Sequence, residues 1–158
     1  MQKKLFNILI AVATAITLTA CTPSKNNDEE TAGMAALNRA RHAMEEGNYL
    51  SAKERILNLR TLHPKALQAR REAILTLDSV EMFLAVDSMQ RAGERMYAEQ
   101  RRLKELESNY TEHYMEYRKQ EKIFNEAHEL FTDFDTKVRF FRKKLEVDKE
   151  KLLEQARE

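Results

Sequence analysis

Cys21 carries the only thiol in the chain, and its setting decides what chemistry is open to it. It follows Leu18-Thr19-Ala20 at the end of an apolar run from Leu5 in which only Asn7, Thr14, Thr17 and Thr19 are polar. Lys3 and Lys4 precede that run, which gives the basic, apolar and small-residue order of a secretory leader cut just before Cys21. A lone thiol forms no disulfide within its own chain. The other residues able to ligate or transfer protons are scattered. None of His42, His63, His113 and His128 follows a glutamate at the three-residue spacing of helical di-iron sites, and no two stand four apart to share a metal. His42 with Glu45, and His113 with Glu116, are spaced for pairs on a helix surface. There is no Gly-rich phosphate loop, paired-cysteine metal site or Gly-x-Ser-x-Gly elbow. The expectation is a protein that is not an enzyme and takes no cofactor, metal or small-molecule substrate.

The four residues Leu18-Thr19-Ala20-Cys21 resemble the lipobox of bacterial lipoproteins at every position. The resemblance implies a diacylglyceryl thioether on Cys21, cleavage before it and acylation of the new amino terminus. It also implies a place in the cell envelope, with the outer membrane expected. Acyl chains contribute about 0.8 kcal/mol per buried methylene, so together they hold a protein on a bilayer without spanning it. The alternative is an uncleaved transmembrane helix, for which the run is slightly short of the roughly 17–25 residues needed. Residues 1–20 are thus taken as leader. Residues 21–32 are polar and without apolar periodicity, the composition of a flexible tether. Within them Lys25 with Asp28-Glu29-Glu30 resembles a signal for export to the cell surface, the alternative being an ordinary solvated linker.

The elements that follow are helical by composition. Only three glycines and two prolines occur, none beyond Gly93, while Ala, Leu, Glu, Lys, Arg and Gln abound. These are the best helix formers, and strands and tight turns need the missing types. The chain is expected to be all-α. Lys and Arg number 27 against 26 Asp and Glu, so the basic field by which nucleic-acid binders attract phosphate is lacking.

Residues 33–64 read as a helical hairpin. Ala36, Ala40 and Ala43 lie at helical spacing, Gly47 can end the first helix in the left-handed conformation, and Asn48 or Ser51 can cap the second. Ala52 permits close approach, Ile56 and Leu59 fill the seam, and Pro64 stops the helix. This order resembles a tetratricopeptide repeat, a helix-turn-helix of about 34 residues. Ala40, Gly47, Tyr49, Ala52 and Pro64 match the family's small, turn, aromatic, small and terminal positions. Ala36 stands where the family prefers a bulky aromatic, and the next repeat, at Ile74, Glu81, Phe83, Val86 and Ala98, lacks both glycine and proline. A single unit needs neighbours to cover its face, so a third helix from near Lys65 is expected to cap it.

Residues 65–158 carry a different period. Every seventh residue from Leu75 is apolar: Leu75, Met82, Met89, Met96, Leu103, Tyr110, Tyr117, Phe124, Phe131, Val138, Leu145 and Leu152. At the chain's apolar content of 42%, chance produces such a row with odds on the order of one in tens of thousands. A seven-residue period marks helices wound on a partner helix. The companion positions are weaker, since Asp78, Glu99, His113, Gln120 and Asp148 interrupt them. In a parallel homodimer Glu116 would face Glu121, Lys137 would face Arg142 and Lys144 would face Lys149, all like charges. A fold-back near Ser108-Asn109-Tyr110-Thr111 instead sets Arg102 near Glu116 and Glu81 near Lys137. Yet the period runs straight through this stretch without glycine or proline. The single long helix, a rod of about 135 Å, is therefore placed slightly ahead of the antiparallel hairpin.

Phe124, Phe131, Phe134, Phe140 and Phe141 crowd this segment with Ile123, Leu130 and Val138. Phe140 lies off the row, so one neighbouring helix would not bury everything. These five rings are the candidate partner-binding residues, a wider helical core being the alternative. Arg142-Lys143-Lys144 beside them could touch lipid head groups or stand as a solvated basic turn. The expected function is a non-enzymatic adapter, held on the membrane through Cys21, that binds other envelope proteins. The alternative is a spacer that associates with copies of itself.

Overall fold

A computed structural model describes residues 25–155 and 157. Helix α1 spans Lys25–Glu45, α2 Tyr49–Leu62, α3 Leu67–Glu107 and α4 Tyr114–Gln155, with no strand among the described residues. The chain is all-α.

The α1–α2 turn follows from Gly47, whose φ of 76° lies in the left-handed region that costs glycine nothing. With it, the N–H of Asn48 reaches the carbonyl of Ala43 and that of Gly47 the carbonyl of Met44, the paired bonds of a Schellman motif. Asn48 Oδ1 then accepts the N–H of Ser51 at 3.3 Å and caps α2. Leu37, Ala40, Ala43, Ala52, Ile56 and Leu59 meet Ala66, Ala69, Ala73 and Val80 in one core. Small residues dominate it because the helices approach closely. At Gly33 an added Cβ would stand well inside contact distance of Ala66 and 3.3 Å from Ala69. Tyr49 closes the far end of this base by stacking on Phe83 at 5.1 Å.

Helix α1 starts earlier than the sequence suggests. Lys25–Ala32 is helix and not tether, because Glu30 accepts the backbone N–H groups of Gln68 and Ala69 at 3.2 and 2.7 Å. That carboxylate supplies the cap that Ala66, with no side-chain acceptor, does not give α3. Arg41, bonded to Glu72 at 2.9 Å, fixes α1 further along α3. The two helices therefore run parallel.

The expectation of an uninterrupted rod is corrected: residues 67–155 turn back at 108–113 and form an antiparallel hairpin. Its contacts descend one helix as they climb the other, from Gln120 on Glu99 through Phe131 on Gly93 to Lys144 on Asp78. The turn needs no glycine or proline. Asn109 donates to Leu106, Glu112 and His113 both donate to Asn109, and Ser108 Oγ donates to Glu105, so the helix simply unwinds through hydrogen-bonded turns. The expected ion pairs of the fold-back do not form. Arg102 pairs with Glu99 and Glu81 with Lys53.

Helix α3 is the spine, with α1 and α2 on one side of its first half and α4 on the other; among the described residues α4 packs on α3 alone. Beyond Leu84 the two long helices continue by themselves. Residues 85–107 make an arm of about 35 Å at 1.5 Å per residue.

Candidate functional site

Because α4 has one neighbour, the apolar row is paired but not sealed. Of its twelve residues Met96 and Val138 are buried, Tyr110 is exposed and the other nine are half-buried. Phe124, Phe131, Phe134 and Phe141 are all half-buried. Phe140 stands apart, 61% exposed on the outer side, and touches Phe141 edge-on at 5.2 Å. The Lys137 ammonium lies 4.9 Å above the Phe134 ring. The five rings are thus strung along α4 and do not gather into a single patch.

Three tyrosines close the free tip. Tyr110 meets Tyr114 and Tyr117 edge-on at 5.4 and 5.0 Å, while Met115 beside them is 77% exposed. Sequence reasoning counted Tyr110 and Tyr117 as members of the row but missed the cluster. Its signal, aromatic residues three and four apart, acquires meaning only once the chain turns there.

Four of the five polar interruptions of the seam, all but His113, are brought together in two groups. Asp78, 4% exposed, receives Lys144 Nζ at 2.6 Å on both carboxylate oxygens, and Lys144 also reaches Asp148 at 2.7 Å. Burial raises the Asp78 pKa more than Lys144 lowers it. The hydrogen bond from Lys144 holds Asp148 below its ordinary value. Burial pulls Lys144 down, but its bonds to Asp148 and Asp78 prevail and raise it. In the second group Gln120 donates to Glu99 at 2.8 Å and Arg102 donates to both oxygens at 3.1 and 3.0 Å. The Gln120 bond, ahead of Arg102, lowers the Glu99 pKa. Among the described residues no buried side-chain polar atom lacks a partner.

These groups tie α4 to α3 across the seam. His113 pairs with Glu116 at 3.0 Å, whereas His42 pairs with Glu46 at 3.4 Å and not with Glu45. Among the described residues no three His, Cys, Asp or Glu gather as a metal site, and no helix is long and apolar enough to cross a membrane. Cys21 and residues 1–20, expected as a leader, lie outside the described residues. Comparison with protein-family models, curated proteins and solved structures gave no match.

Proposed function

We propose that this chain is a membrane-anchored bacterial lipoprotein that serves as a non-enzymatic protein-protein adapter of the cell envelope, on the outer membrane. The lipobox-like residues before Cys21 support the anchor, and the glycine-turned α1–α2 pair supports a tetratricopeptide-like base. The observation that carries the adapter reading is the half-covered apolar row. In a two-helix arm each ring touches one neighbour, and its outer side still gains about 25 cal/mol per Å² if another helix covers it. A partner helix laid along the arm would bury the open sides of Phe124, Phe131 and Phe134, with Phe140 and the Tyr110 cluster at its margins. Anchoring would then raise the effective concentration of such weak contacts.

A photo-activated residue placed at Phe140 or Met115 in the lipidated chain tests this in cells. The expected product is a covalent adduct with another envelope protein, lost when Phe124 and Phe131 are both changed to Glu. Adducts with copies of the same chain alone would favour the spacer, and none at either position would contradict both. Intact mass of the mature chain reads acylation of Cys21 separately.

A further inference from the structure

The end of the molecule opposite the tip has a chemistry that the adapter reading leaves unused. There α2 ends, α3 begins and α4 ends around an open groove of about 520 Å³, with Leu67, Ile74 and Leu152 among its lining. Arg60, Arg70, Arg71 and Lys151 rim it, against the single carboxylate of Asp148, which Lys144 already holds. No carboxylate of the described residues lies within 4.0 Å of a charged nitrogen of those four cations. At the start of α1, Glu30 is engaged by the backbone of Gln68 and Ala69 and Glu29 lies beside His63, while Glu150 and Glu154 in the last turns of α4 do not line the groove. Three leucines project from the same helix ends. Leu62 is 69% exposed, Leu67 70% and Leu153 52%.

Apolar side chains ringed by guanidinium and ammonium groups that hold no ion pair among the described residues suit the boundary between acyl chains and anionic head groups. Only four peptide units separate Cys21 from Lys25, a reach of at most about 14 Å, and Glu30 ties the start of α1 to this same end. We propose that the basal end seats directly on anionic phospholipid, Leu62, Leu67 and Leu153 entering the acyl boundary while the groove's cations take the head-group phosphates. This rests on the reading of Cys21 as the membrane anchor and deepens it. Acyl chains alone would leave the body free to tumble. The seat would stand α3 and α4 end-on to the surface, so that the arm points away from it.

The chain beginning at Thr22 contains all four helices and no thiol, so it isolates the seat from the anchor. It is sedimented with vesicles of neutral phosphatidylcholine and with vesicles containing one third phosphatidylglycerol. Binding is expected to the anionic vesicles only, to weaken in high salt, and to resist millimolar inorganic phosphate. Changing Arg60, Arg71 and Lys151 to Glu should weaken it by at least about 100-fold, at roughly fivefold per cation near such a surface. Leu62→Ser with Leu67→Ser should weaken it about tenfold, with unchanged far-ultraviolet circular dichroism. Equal binding to both vesicles, binding to neither, displacement by free phosphate, or indifference to the substitutions would overturn the proposal. None of these results depends on acylation of Cys21, so failure of the seat and failure of the anchor are told apart.

Discussion

Asp78 and Lys144 show how single residues select this pairing. In a parallel homodimer each seam position faces its own copy, so Asp78 would oppose Asp78 and Glu99 would oppose Glu99, with no cation or amide between them. The antiparallel hairpin instead delivers Lys144 and Gln120 to them. Removing one partner of a buried pair leaves an uncompensated charge, typically costing about 3–5 kcal/mol. The Lys144 side chain is 36% exposed, so Lys144→Met is expected to cost less, about 2 kcal/mol. Urea unfolding of Lys144→Met beside Asp78→Leu/Lys144→Met checks this, since the double variant should recover to within about 1 kcal/mol of the parent. Glu99 supplies a pH test. Its pKa is lower folded than unfolded, so its stabilisation is present above the unfolded value near 4.3 and disappears as pH falls through the folded one. The urea midpoints of the parent and Glu99→Gln should therefore differ at pH 7 and converge toward pH 3. A gap that stays constant would contradict the assignment. Asp78 works in the opposite sense, because its raised pKa makes the ionised form costly at neutral pH and protonation relieves it.

Among the elements, local chemistry was legible and distant chemistry was not. The Gly47 turn and the Asn48 cap follow from residues within one turn of each other, the buried face of Ala52, Ile56 and Leu59 follows from helical spacing, and the structure has them all. The seven-residue row was equally plain because side-chain periodicity survives whichever helix covers it. The fold-back was open to view only as an alternative: its turn uses Ser108, Asn109 and Glu112 in ordinary hydrogen bonds and not a helix breaker. The helix at Lys25–Ala32 was hidden because its order depends on Glu30 reaching Gln68 and Ala69, far along the chain. Asp78, Glu99, Gln120 and Asp148 were seen as flaws in the seam, and their roles appear only once the register is known. Gly33 was likewise invisible, being a contact between elements. Gly33→Ala raises helix propensity by about 1 kcal/mol but drives a methyl into Ala66, where overpacking costs about 1–3 kcal/mol. The net loss of up to about 2 kcal/mol should appear in calorimetry as a melting temperature lowered by a few degrees, at most about 8 °C; an increase would mean that α1 does not approach α3 so closely.

At the scale of the whole molecule, one spine helix separates two tasks. Its first half packs between α1, α2 and α4 and makes a base at the end to which the chain from Cys21 leads. Its second half, with α4 alone, carries half-covered rings about 35 Å outward. A net charge of +1 gives no long-range steering, so partner choice on this account falls to the shape and apolar surface of the arm.

All of this requires that the row be paired within one chain. A carbodiimide joins an amine to a carboxylate in direct contact, and Lys144 lies 2.6 Å from Asp78 across the hairpin. Coupled in an equal mixture of isotopically heavy and light chains, Asp78–Lys144 peptide pairs should be wholly heavy or wholly light. Mixed pairs, or Lys144 joined only to Asp148 of its own helix, would contradict the fold-back and the adapter built on it.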